Sequence, residues 1–410
     1  MSIFSAIALL VVLTALFSYL NYRYLRLPRT IGLMAMSLVA SLSIAVMEAA
    51  GLNTMTTAAR AIAAIDFSET VLTVVLSFLL FAGALHIDLN AFLKQKWAIG
   101  VLSTLGVVIS TGVIGLSLFY MFPLLGLAVP LSVCLLFGAL ISPTDPIAVL
   151  ALLKETSVPK GIEMKVAGES LLNDGVGVVL FLILLGIVQG VGEVSFPHIS
   201  MLLVREAGGG IALGIGAGYV AYQFIKRVDD YCVEILLSIA LVVGGYALAR
   251  ELHVSGPLAM VAAGLFIGNR GRLFGMSDET RKNLDLFWEV VDDVLNASLF
   301  VLVGFEALLL SVKPIYAAAA ALAIPLVLFA RFVSVWLSSY VAGLVSRFSK
   351  HSVLILTWGG LRGGISLALA LALPQGDARD VLLFMTYAIV VFSILVQGLT
   401  MRPLIRSIGV

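Results

Sequence analysis

Apolar stretches long enough to cross a bilayer follow one another along almost the whole chain, and few folds other than a bundle of membrane helices accommodate that pattern. A spanning helix needs about 20 predominantly apolar residues. Reading between polar breaks gives roughly thirteen such runs: 2–20, 29–49, 69–86, 97–121, 127–151, 164–190, 201–225, 231–250, 254–269, 288–311, 314–342, 351–373 and 380–401. Only 12% of the 410 residues are charged, against about 25% in soluble proteins. The expected fold class is therefore an all-α polytopic membrane protein, with residues 1–410 forming one integral membrane unit. The net charge of +1 argues against a nucleic-acid partner. Cys134 and Cys232 lie far apart in apolar surroundings and read as small hydrophobes rather than a disulfide framework. The first run lacks a basic leader and is followed by Arg23, Arg26 and Arg29, so a retained helix is expected in place of a cleaved signal. The segment after about 400 is too short for a soluble domain.

Lysine and arginine partition between alternate loops, and this bias sets orientation. One set of loops holds Arg23, Arg26, Arg29, Lys94, Lys96, Lys154, Lys160, Lys165, Lys226, Arg227, Arg270, Arg272, Arg281, Lys282, Arg347, Lys350, Arg402 and Arg406. The other holds only Arg60, Arg250, Lys313 and Arg379, with Arg205 at a span edge. The asymmetry places the N-terminus outside and the C-terminus in the cytoplasm, consistent with an odd helix number. Residues 275–287 read as a cytoplasmic interfacial helix preceding the tenth span.

Two spans are interrupted near their middles. The fifth contains Ser142-Pro143-Thr144-Asp145-Pro146, and two prolines three residues apart should open the helix. The twelfth contains Gly359-Gly360-Leu361-Arg362-Gly363-Gly364, a flexible stretch carrying a cation. Taken singly, each is a kink or a close packing point. Together they occupy corresponding places in two three-span segments that begin on opposite sides of the membrane, 97–190 and 314–401. Paired broken helices of this kind point to the substrate site of a secondary transporter. Residues 1–96 and 201–311 then supply scaffold and dimerisation helices. Where half-helices meet, their dipoles need countercharges: Asp145 for the positive ends and Arg362 for the negative ends, with direct substrate contact as the alternative for Asp145.

The sixth span carries Gly168-Glu169-Ser170-Leu171-Leu172-Asn173-Asp174-Gly175. At about 100° per residue, Glu169, Asn173, Ser170 and Asp174 share one side of a helix. Ionisable groups at bilayer depth face a protein interior or a water-filled cavity, and an acidic niche of this composition suits a small cation or a proton. Hard cations prefer oxygen ligands, which Asp174, Ser170, Thr144 and the carbonyls freed at the break supply. A single carboxylate that holds either a proton or a cation makes the simplest exchanger, and Asp174 is the candidate. Arg331, in the middle of the eleventh span, needs a buried carboxylate. Glu169 is the expected partner, with Asp174 as the competing one. Asn173 cannot ionise, so one proton should exchange for one monovalent cation without net charge movement. Its amide is expected to bond to the opened backbone of span five. Asp292, Asp293 and Asn296 either line a funnel or cap the start of their helix. Glu306, near the outer end of the tenth span, reads as a surface or entry charge. His86, His198, His253 and His351 are too scattered for a metal site.

The ordered set Thr144-Asp145-Pro146, Glu169-Ser170 with Asn173-Asp174, Ala330-Arg331-Phe332 and Trp358-Gly359-Gly360-Leu361-Arg362-Gly363 resembles the sodium/proton antiporters of the NhaP type, relatives of the eukaryotic sodium/proton exchangers. The resemblance implies a thirteen-helix fold with a six-helix core and a separate dimerisation domain, working as a homodimer in the cell inner (plasma) membrane by an elevator-like motion. It implies cation ligation around Asp174, Ser170, Thr144 and Asp145, with Glu169–Arg331 as a stabilising pair, sodium and protons as substrates, a part in pH homeostasis, and no cofactor. The Asn-Asp pair resembles the electroneutral branch. A competing reading is a potassium/proton antiporter or channel-like cation efflux protein of the same superfamily. An intramembrane enzyme is the reading from another class, but no histidine lies at mid-span and Ser170 has no activating base other than carboxylates.

Overall fold

The computed structural model describes residues 3–50, 70–154, 158–190, 196–343, 350–376 and 378–407, and within these the chain is built from helices. The principal α-helices, in chain order and leaving aside short ones such as Leu89–Lys94 and the π- and 3-10 turns, are α1 (Ile3–Leu20), α2 (Arg29–Ala49), α3 (Leu76–Leu85), α4 (Lys96–Ser103), α5 (Leu105–Met121), α6 (Leu131–Ile141), α7 (Ile147–Lys154), α8 (Lys160–Val188), α9 (Phe196–Ile225), α10 (Tyr231–Glu251), α11 (Gly256–Phe266), α12 (Asp278–Glu306), α13 (Pro314–Gly343), α14 (Lys350–Trp358), α15 (Gly364–Leu371), α16 (Arg379–Phe392) and α17 (Gly398–Ser407). Seven continuous helical stretches among the described residues are long and apolar enough to cross a membrane. Other apolar runs are built as shorter pieces, such as α6 and α7 on either side of one break and α14 and α15 on either side of the other. Arg60, Arg347 and the start of the third apolar run lie outside the described residues.

Helix boundaries follow local chemistry. Pro28 and Pro159 precede α2 and α8, where a missing amide proton costs nothing. Asp230 caps α10 by accepting from the amides of Cys232 and Val233, and Ser255 caps α11. The segment 275–287 differs from the sequence expectation. Ser277 caps a helix that runs unbroken from Asp278 to Glu306, so most of the proposed interfacial helix and span ten are one element. Neither proline nor glycine falls between 278 and 303 to interrupt it. Its charged first half stays attached because Trp288 is buried against Phe78 and Phe81 of α3 and donates its indole N–H to Ser238.

In lipid, helices associate through close packing and hydrogen bonds rather than through exclusion of water. Gly138 illustrates this: a Cβ there would come within 2.5 Å of the Thr111 carbonyl, so α6 and α5 touch backbone to backbone. α2 and α12 run parallel, tied at one end by Arg29 with Asp293 and further along by Ser41 Oγ donating to the Gly304 carbonyl at 2.9 Å. Glu306, at the end of α12, is buried and not at the surface, because α2 and α16 close over that end of the helix.

Candidate functional site: two broken helices around a buried carboxylate

The sequence 142–146 ends α6, leaves a short extended segment, and restarts as α7; 359–363 does the same between α14 and α15. The two interruptions meet. Asp145 and Leu361 form an antiparallel β-bridge, with the Asp145 amide donating to the Leu361 carbonyl at 2.8 Å. Gly363 lies so close to the Asp145 carboxylate that a Cβ would collide with it.

A break at membrane depth frees backbone groups that lipid cannot satisfy. Here other parts of the chain satisfy them. Arg362 Nη1 donates to the carbonyls of Ser142 and Pro143, the latter at 2.9 Å. The Arg362 amide donates to Ser393 Oγ at 2.8 Å, and Gln397 Nε2 donates to the Trp358 carbonyl at 2.9 Å. The Leu356 carbonyl accepts from Arg331 Nε and Nη2 at 3.2 and 2.9 Å. Asp145 Oδ1 accepts from the Ile147 amide at 2.9 Å, which places a carboxylate on the first turn of α7. Arg362 thus sits at the negative end of α6, and Asp145 at the positive end of α7 and beside Gly363, just before α15 begins.

α8 crosses this junction and presents Glu169, Ser170, Asn173 and Asp174, all buried. Asn173 bonds to the opened segment from both ends of its amide. Oδ1 accepts from the Thr144 amide at 3.4 Å, and Nδ2 donates to Thr144 Oγ1 at 2.8 Å. Thr144 Oγ1 and Ser170 Oγ are 3.2 Å apart. Glu169 meets Arg331 of α13, with Nη1 to Oε1 at 2.5 Å. Of the two partners open to Arg331 in the sequence, the structure brings it to Glu169.

Asp174 differs from its neighbours. Among the described residues its carboxylate makes no hydrogen bond, although it is only 6% exposed. The charged side chains that act on it electrostatically are Asp145 and Arg362. The predicted set Thr144, Asp145, Glu169, Ser170, Asn173, Asp174, Arg331 and Arg362 is therefore gathered at one crossing. Sequence reading missed Ser393 and Gln397, neutral residues that repair the second break. Asp292 and Asp293 do not cap α12; Ser277 does. Within the described residues no group of three or more His, Cys, Asp or Glu side chains is arranged to hold a metal ion.

Discontinuous helices whose breaks meet beside a buried acid are the arrangement in which membrane transporters commonly build an ion site. The comparisons agree. The profile described as "Sodium/hydrogen exchanger, transmembrane" matches residues 11–407, and the chain belongs to that family. It is 49% identical to the Na(+)/H(+) antiporter NhaP of Pseudomonas aeruginosa over 98% of this chain and 96% of that protein. It is 36% identical to the Na(+)/H(+) antiporter NhaH of Halobacillus dabanensis over 84% of each. The solved structure of the sodium proton antiporter MjNhaP1 from Methanocaldococcus jannaschii at pH 8 superimposes with a TM-score of 0.74 at 20% identity, covering 98% of both chains, a likeness of fold. The family is one of transporters rather than enzymes, handling substrate ions without a cofactor.

Proposed function

We propose that the chain exchanges one monovalent cation, sodium foremost, for one proton across the membrane, with Asp174 holding either ion in turn. The observation that carries this reading is the contrast on α8. Glu169, Asn173 and Ser170 are engaged by Arg331 and Thr144, whereas Asp174 is buried with its oxygens unclaimed among the described residues. Charge counting supports electroneutrality. At the junction three acids, Asp145, Glu169 and Asp174, stand against two cations, Arg331 and Arg362, an excess of one negative charge to be neutralised by a proton or a cation. Ser170, Thr144 and Asp145 offer further oxygens of the hard kind that sodium prefers.

In this reading the segments 97–190 and 314–401 form the translocating core as inverted repeats. Residues 1–96 and 201–311 form the scaffold through which a homodimer assembles, in the plasma membrane, with the N-terminus outside and the C-terminus in the cytoplasm. The core moves against the scaffold so that Asp174 faces each side alternately. The test is reconstitution in vesicles with an imposed pH gradient, adding sodium, lithium or potassium while recording internal pH and membrane potential. Sodium should dissipate the gradient in the wild type without generating a potential, and Asp174→Asn should stop dissipation. Persistence in Asp174→Asn, or a potential generated by the wild type, would contradict the mechanism; a current would indicate channel-like conduction.

A further inference from the structure

Asn296 is 3% exposed, yet among the described residues both its amide oxygen and its amide nitrogen lack hydrogen-bond partners. Leaving a buried amide without partners is unfavourable, so a side chain in this state is suited to a visiting partner. Its place in the fold says which partner. Asn296 lies on α12 between two fixed contacts: Asp293, which meets Arg29 of α2, and Leu299, against which Gly364 of α15 packs so closely that a Cβ would fall 2.7 Å from Leu299 Cδ1. At about 1.5 Å per residue, Asn296 is one turn from Leu299, toward the α12 N-terminus, and about 60° around the helix. Gly304, which packs on α2, lies about 80° to the other side. The amide therefore points between α2 and the start of α15, at the depth of the extended residues just before Gly364. Those residues include Gly363, which abuts the Asp145 carboxylate.

We infer that Asn296 is a positioning and specificity residue for the transported cation, reaching the junction from the scaffold side. Its neutral amide oxygen adds a hard ligand to the ion held by the core, directly or through one water. A neutral ligand strengthens cation binding without adding a second titrating group, so the one-for-one exchange is preserved. Because α12 belongs to the scaffold and α15 to the core, the contact exists only when the two are aligned as seen here. The residue thereby favours cation capture in this alignment.

This inference rests on the exchange reading above, and its test separates the two. Wild type, Asp174→Asn, Asn296→Leu and Asn296→Ser are reconstituted, and sodium- and lithium-driven proton movement is measured for KM and maximal rate, together with thermal stability in detergent. Asn296→Leu, close in size, should raise the sodium KM about tenfold, the loss expected from one neutral contact. Folding should be unimpaired, and the ratio of sodium to lithium KM should change. Asn296→Ser, which restores an oxygen, should recover part of the affinity and serves as the measurement if the leucine variant fails to fold. Sodium KM within twofold of wild type in folded Asn296→Leu overturns the inference, as does a serine variant no better than leucine; if the leucine variant does not fold, a serine variant with unchanged sodium KM and unchanged sodium-to-lithium ratio overturns it. Absence of exchange in the wild type, or its persistence in Asp174→Asn, overturns the exchange reading instead.

Discussion

The Glu169–Arg331 pair gives the most quantitative test of how the site is held together. Both side chains are buried, at 1% and 7% exposure. Breaking a buried ion pair from one side costs about 3–5 kcal/mol, because the remaining charge has no solvent to return to. The two single variants are not equivalent. In Glu169→Gln, Arg331 keeps its two donations to the Leu356 carbonyl at the end of α14. In Arg331→Gln, both the Glu169 carboxylate and that carbonyl lose their donors. The second should therefore be more destabilising by about 1–3 kcal/mol, the penalty for a bared buried acceptor. The double variant removes both charges and should fall short of the sum of the singles by about 2 kcal/mol or more. SDS-induced unfolding in mixed micelles supplies the cycle, with sodium KM measured on any variant that folds. A coupling below about 0.5 kcal/mol would refute the pairing. So would Arg331→Gln altering sodium KM at undiminished stability, which would mean that Arg331 acts on Asp174.

Three further outcomes follow from the same geometry. Arg362→Met should lower the yield of folded protein, since it strips donors from the Ser142 and Pro143 carbonyls at about 1–3 kcal/mol each. Arg362→Lys should restore part of that yield as a point charge, measured by size-exclusion chromatography. Gly363→Ala should drive a methyl into the Asp145 carboxylate, costing about 1–3 kcal/mol and raising sodium KM, checked by vesicle transport and melting. Protons and sodium competing at one acid predict a definite pH signature. On the acid side of that acid's titration, sodium KM should rise about tenfold per pH unit lowered, while the maximal rate at saturating sodium stays constant. A maximal rate that falls instead would indicate separate sites.

The parts of this arrangement that the sequence disclosed are those in which one residue type admits few environments. An arginine in the middle of an apolar span needs an acid, and Glu169 lay one turn before the other candidate on the same helix. Two prolines three apart in the interior of a span open its helix. What stayed hidden depends on neighbours brought from far along the chain. Ser393 and Gln397 repair a break 31 and 39 positions away, and a serine or glutamine in an apolar span carries no mark of that task. The end position of Glu306 suggested exposure, but α2 and α16 cover it. The charges of 275–287 suggested a separate interfacial helix, yet with neither glycine nor proline between 278 and 303 the backbone had no reason to stop there. Asn296 looked like one polar residue among three, and only burial with both amide ends empty set it apart from Asp292 and Asp293.

The bridge between Asp145 and Leu361 has a mechanical consequence. It turns two interrupted helices into a rivet, since prising them apart would strand an amide, a carbonyl and the guanidinium that grips Ser142 and Pro143, all in the buried interior. Neither half-helix is free to swing as an independent gate. In the exchange cycle proposed above, a passenger resting at this crossing would travel with the riveted assembly as a whole, and the close contact of Gly364 with Leu299 marks where such an assembly would part from α12.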